Sequence, residues 1–284
     1  TRAAAKDTDL SALKAEGAGF IVLGGYEDGQ TYVPVFDGTN DTGSHITWNK
    51  SSWEYSPINY WLEGKTYKFV AYAPAKLQEG DLFDIDYAGN KLKMKDGGTF
   101  TADGETDLVV AEGKPQGYPV AAEPVQMETV GFKFYHALSK VKFTFINGWR
   151  NAVTLKITNI KLSNVKNTGS LTTSGTMAQG SDKIQLSAWS GQTGTADYED
   201  KADGMNTDEY EASYEFENFL LPTVLDDSQM KLTFTVQVTN SQGTGPDLGA
   251  GAGNSVVKEV VIPKDVVTEW MPGYAYNYKL TISG

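Results

Sequence analysis

Cysteine is absent from the 284-residue chain, which leaves no disulfide framework, no thiolate metal site and no cysteine nucleophile. Histidine occurs only twice, at His45 and His136, too few for most histidine chemistry, and a zinc site would rest almost wholly on carboxylates. Arginine is as scarce, with Arg2 and Arg150 alone. No apolar run approaches the roughly 18–20 residues that a membrane-spanning helix needs. A formal charge of −12 argues against a nucleic-acid or anionic-membrane surface, since phosphate contacts require clustered Lys and Arg. The chain starts at Thr1 without a signal-like apolar segment, which reads as a mature or trimmed piece with any export signal or lipid anchor upstream.

Aromatics are plentiful, with fifteen Tyr, twelve Phe and six Trp, so a sizeable core is available. The dominant pattern is alternation with period two, broken by Gly, Asn, Asp and Pro clusters, which predicts an all-β chain. "KTYKFVAYAP" places Tyr67, Phe69 and Ala71 on one face and stops at Pro74. "MKLTFTVQV" turns Leu232, Phe234, Val236 and Val238 inward, and "YEASYEFENF" aligns Tyr210, Ala212, Tyr214 and Phe216. "YAYNYKLTI" sets Tyr274, Tyr276, Tyr278, Leu280 and Ile282 on one side. Only "DTDLSALKAE" looks helical, and it is too short to be stable alone. "FDGTNDTGSH", "YAGNKLKMKDGGTFTADGETD", "SGQTGTADYEDKADGMNTDE" and "NSQGTGPDLGAGAGN" read as long loops. The proline-rich stretch from Gly113 to Glu128 divides two strand-rich halves, 1–128 and 129–284.

The chemical motifs each meet a plainer reading. Ser139 and Lys142 have the S-x-x-K spacing of serine acyl-enzymes, but that chemistry needs a helix, and "GFKFYHALSKVKFTF" reads as a strand. Its phase slips near Leu138 to Lys140, as a β-bulge requires, and "TLKITNIKLSNV" slips likewise. His136 alternates with Phe134 and Leu138 and is expected to be hydrogen-bonded and partly buried; His45 is expected in a polar loop. "GAGAGN" at 249–254 lacks the following helix of a dinucleotide loop. Asp81, Asp84, Asp86, Asp226 and Asp227 do not make a calcium loop and read as solvated charge. Trp48, Trp53, Tyr55, Tyr60 and Trp61 are dense enough for a glycan platform, although core packing suits them better. No catalytic constellation survives, and no cofactor or metal is expected.

Several stretches, in order, resemble the fimbrillins of Bacteroidales, the Mfa-like and FimA-like subunits of type V pili. They are "TRA" at 1–3, "YWLEGKTYKFVAYAP" at 60–74, "DLVVAEG" at 107–113, "FKFYHALSKVKFTF" at 132–145 and "WMPGYAYNYKLTIS" at 270–283. Leu62 departs from the commoner Y-W-P of the first long motif. The resemblance implies two tandem transthyretin-like β-sandwich domains, export as a lipoprotein of the outer membrane, and assembly at the surface of a Gram-negative cell. It further implies that an arginine-directed protease removes an N-terminal segment and that a strand of a neighbouring subunit fills the groove so opened. Arg2 is then the processing site, leaving Ala3 at the new terminus; alternatively Phe20 to Leu23 is the removable strand. The run of Tyr274, Tyr276, Tyr278, Leu280 and Ile282 is either a donor strand or the last strand of the second sandwich.

The function expected is therefore a non-enzymatic fimbrial subunit or tip component. Its partners are other fimbrial subunits and surface glycans or proteins, without nucleic acid, and with a membrane only through an upstream lipid anchor. The alternative is a cell-surface glycan- or ligand-binding module with aromatic-rich loops.

Overall fold

The computed structural model describes residues 2–4, 11–36, 42–113, 115–121, 127, 129–150, 153–173, 187–225, 230–240, 255–265 and 267–283. Strand β1 (Arg2–Ala4) is followed by a single 3-10 turn, Ala12–Lys14, with Leu13 buried. The first half then lays down β2 (Phe20–Asp28), β3 (Thr66–Ala73), the hairpin β4 (Phe83–Asp86) and β5 (Lys91–Met94), and β6 (Val109–Glu112). β3 lies between β2 and β6, antiparallel to both. Both faces of this sheet are buried, which is why β3 reads as a nearly continuous apolar run. Tyr67, Phe69, Ala71 and Ala73 pack with Trp53, Tyr55, Trp61, Phe132 and Phe134 on one side. Val70 and Tyr72 pack with Phe83, Ile85, Leu92 and Met94 on the other.

The second half contains β7 (Ser139–Asn147), β8 (Val153–Val165), β9 (Thr168–Thr173), β10 (Ser187–Thr193), β11 (Ala196–Glu199), β12 (Ser213–Leu220), β13 (Lys231–Asn240), β14 (Ser255–Val261) and β15 (Tyr274–Ile282). One sheet runs β1-β15-β7-β12 and the facing sheet β11-β8-β13-β14. Between them lie Val141, Phe143 and Phe145 of β7, Leu155 and Ile157 of β8, and Leu232, Phe234, Val236 and Val238 of β13. The fold is an all-β sandwich architecture, as the alternation predicts.

A two-stranded arm ties the halves together. β8 continues into β9 and β10 into β11, with β8 paired to β11 and β9 to β10. The β9 end reaches the first half, where Thr172 pairs with Lys93 and Gly169 with Phe100. Thr173 accepts from the Leu92 amide at 2.9 Å and donates to the Leu92 carbonyl at 3.3 Å. The Trp189 indole donates to the Ala137 carbonyl at 2.8 Å, and the Tyr198 hydroxyl to Ala102 at 3.0 Å. Opposite Tyr198, Gly104 has φ +84 and leaves a Cβ only 2.6 Å from the ring, so a side chain there is excluded twice over.

Several sequence expectations change. The phase slip after Leu138 is a crossover: Tyr135 and His136 pair with β6, Ala137 and Leu138 enter the first half's core, and Ser139 starts β7 in the other sheet. A bulge gives the same one-residue slip, so sequence phase does not separate the two. In β8 the slip is a bulge, between Thr158 and Lys161, with Asn159 at φ +52. Two expected loops hold strands: Lys91–Met94 in one, and β11 with Met205–Thr207 in the other. Each buries only one or two side chains (Leu92 and Met94, Tyr198, Met205), too few to mark a periodicity. His45 lies on the strand Ser44–Trp48, its Nε2 donating to the Ala18 carbonyl at 2.7 Å, rather than in a loop.

Burial, with Asp103 adding its charge, pushes the Tyr198 phenol up to about 12. Burial first, then the hydrogen bond to Asp200, does the same to Tyr214, also to about 12. The unfolded chain ionises these groups near pH 10, so the stability they bring is complete below about pH 10 and is lost as pH rises through about 12. An ultraviolet phenolate titration should show Tyr198→Phe losing one late-ionising group. An unchanged titration would contradict the assignment.

Candidate functional site

β15 runs parallel to β7, in register from Lys140 opposite Ala275 to Asn147 opposite Ile282. Its alternation buries Tyr274 and Tyr276 and packs Tyr278, Leu280 and Ile282 against the same core. Polar anchors fix it: the Met271 amide donates to the Tyr276 hydroxyl at 2.8 Å and the Trp270 indole to the Tyr278 hydroxyl at 3.0 Å. Tyr278 also stacks on Phe143 at 5.3 Å, and burial pushes its phenol up. The five residues expected to share one face do share it.

The other edge of β15 is the notable feature. The Ile282 carbonyl accepts from the Gly148 amide at 2.8 Å, on the β7 side. By alternation, the backbone groups of Lys279 and Thr281 point the opposite way. On that side β1 pairs with β15 antiparallel, Ala4 opposite Tyr274, Ala3 opposite Ala275 and Arg2 opposite Tyr276. Among the described residues no strand pairs with Tyr278–Ile282 along this edge. The scarce arginine thus lies in this ladder opposite Tyr276. Among the described residues β14 also has no strand on its outer side, with Val257 and Val261 exposed, but Lys258 and Glu259 interrupt it.

The remaining candidates fall elsewhere. Ser139 is buried and donates to the Met271 carbonyl at 2.8 Å, whereas Lys142 points out to Glu215 at 2.7 Å, so the pair lies on opposite faces of β7. His136 Nδ1 lies 2.5 Å from Asp107 Oδ2, partly buried, as expected. Asp81 and Asp84 pair with Lys95 and Lys93. Asp226, Asp227 and 249–254 lie outside the described residues. Trp53, Tyr55 and Trp61 pack on the first half's core, Trp48 meets Trp53 edge to face, and Tyr60 is 81% exposed. Phe20 to Leu23 are buried in β2, which is bonded on both sides by β3 and Ser44–Trp48. Among the described residues no helix is long and apolar enough to cross a membrane.

No curated protein matches the chain. Solved structures of low identity do. A Bacteroides uniformis protein proposed to act in cell adhesion is 18% identical over 99% of this chain and 93% of its own, with a TM-score of 0.46. A Bacteroides fragilis protein described in the same terms is 14% identical over 99% and 88%, with a TM-score of 0.48. The fimbrial anchor protein Mfa2 of Porphyromonas gingivalis is 10% identical over 92% and 81%, with a TM-score of 0.32. The fimbrillin-like family model matches residues 1–284. With its whole length under that match, the chain belongs to the fimbrillin-like family.

Proposed function

We propose that this chain is a structural, non-enzymatic subunit of a cell-surface fimbria, joined to its neighbours by a strand added along the open edge of β15. Family membership supports the fimbrial role, and the single observation that carries the mode of assembly is that, among the described residues, no strand pairs with Tyr278–Ile282 on the side away from β7. Ladder hydrogen bonds would supply affinity, and the alternating faces of β15 would set register. The two halves act as tandem sandwich domains bound by the β8–β11 arm. An upstream lipid anchor holds the chain at the outer membrane before assembly.

Arg2 is the processing site. Cleavage after it removes the rung opposite Tyr276 and leaves β1 with only Ala3 and Ala4 in the ladder. The other arginine, Arg150, is engaged: its Nη2 donates to the Tyr210 hydroxyl at 3.0 Å and its guanidinium lies 4.7 Å from the ring centre. β15 is the receiving edge in this scheme. As a donor it would have to withdraw Tyr274 and Tyr276 from the core, exposing apolar area worth roughly 1.5–3 kcal/mol per side chain. An arginine-directed protease should therefore remove Thr1 and Arg2, read by intact mass, and release fibres visible by negative stain. Arg2→Gln should resist both. Fibres formed equally by Arg2→Gln would overturn the processing step.

A further inference from the structure

We infer that the outer face of the β15–β7–β12 sheet is a binding site for a neutral oligosaccharide. The three strands present a grid there. Thr144 of β7 lies between Lys279 of β15 and Glu215 of β12, and Ile146 lies between Thr281 and Ser213. The face forms an open, shallow groove of about 550 Å3. Its floor is Thr144, only 6% exposed although it belongs to the solvent-side set of β7, with its hydroxyl donating to Asn277 at 2.8 Å.

One end of the groove is built rather than incidental. Buried Asn147 holds the turn that carries Tyr210 and Glu211 through three bonds: its amide side chain donates to the Glu209 carbonyl at 2.9 Å, its carbonyl accepts from the Glu211 amide at 2.8 Å, and its own amide donates to Ala212 at 2.9 Å. Arg150 then pins the Tyr210 hydroxyl at 3.0 Å and lies over one part of its ring, with Tyr210 as a whole 41% exposed at the rim. Such fixing reduces the ordering cost on binding.

The lining selects the ligand class. The Thr144 hydroxyl, donating to Asn277, is left to accept, those of Ser213 and Thr281 both donate and accept, Glu215 accepts and Lys279 donates, a mixture that suits vicinal sugar hydroxyls. Ile146 and the Tyr210 ring supply apolar surface for a sugar's C–H face. Glu215 is paired with Lys142 at 2.7 Å, so the charges around the groove nearly balance and offer acidic saccharides and phosphates no cluster of free cations. An extended peptide laid here would meet side chains instead of a ladder edge, and its amides would lose their partners.

The inference stands apart from strand exchange. The test uses the full chain on an array of neutral pentasaccharides of glucose, xylose, mannose and galactose, with oligogalacturonate for comparison, followed by calorimetry on any hit. We expect at least one neutral pentasaccharide to bind with a Kd below about 1 mM. Tyr210→Ala and the exposed Glu215→Ala, both away from the β15 edge, should each weaken it by about tenfold or more, with unchanged thermal melting and unchanged fibre formation. Absence of any neutral hit, preference for oligogalacturonate, or full binding by both variants would overturn the assignment.

Discussion

Thr281→Pro is expected to leave the monomer folded and to abolish fibre growth. Thr281 lies on β15 with its backbone groups directed away from β7, since the neighbouring Ile282 carbonyl is the one that accepts from Gly148. A proline there removes no hydrogen bond inside the sandwich, and edge positions tolerate the ring. An incoming strand meets a missing donor and a ring in its path. A proline in the ladder leaves a carbonyl of the incoming strand without its donor, which costs about 1–3 kcal/mol, roughly five- to a hundredfold in the association constant per contact. A polymer repeats that contact at every subunit, so growth stops rather than slows. The check is sedimentation of protease-treated protein beside circular dichroism of the untreated monomer. Fibres at wild-type yield would move assembly to another edge, with β14 the next to test.

The second large effect concerns the arm. Residues 1–128 produced alone should show no cooperative unfolding. Their core is completed by Ala137, Leu138, Leu171 and Leu221, and their outer face is covered by Phe132 and Phe134, all from beyond residue 128. Full burial of a Leu side chain is worth about 1.5–3 kcal/mol, so Leu138, Leu171 and Leu221, with a smaller share from the partly buried Phe132 and Phe134, together supply roughly 5–10 kcal/mol. That equals the typical net stability of a whole domain. In the intact chain, Leu171→Ala, which empties one fully buried site at the tip of the arm, should cost about 2–5 kcal/mol in denaturant unfolding. A separate, unshifted transition for the first half would show that the arm is not what couples the two.

How much of this was legible in sequence depended on how regularly each element alternates. β3, β13 and β15 were readable because each repeats an inward residue three or more times, and their faces came out as expected. "YEASYEFENF" was readable only from Tyr214 onward: β12 starts at Ser213, and Tyr210 sits in the preceding turn facing out. That turn is set by Asn147, some sixty residues away, and no local pattern records it. The arm was missed for a related reason. β10 and β11 are short and separated by Gly194 at φ +66, so their glycines and acidic residues read as a loop. The open edge of β15 was beyond sequence altogether, because an edge is defined by which strands lie beside it. The family resemblance, with only two arginines to choose from, pointed at Arg2, and its place opposite Tyr276 required the register.

The most direct test of strand addition at β15 is amide hydrogen exchange of Lys279 and Thr281 before and after assembly. In the monomer these two amides should exchange quickly while those of Tyr278 and Leu280, directed at β7, stay protected. In the fibre all four should be protected, with Lys279 and Thr281 slowed by about a hundredfold or more. Unchanged exchange at Lys279 and Thr281 in well-formed fibres would contradict the account.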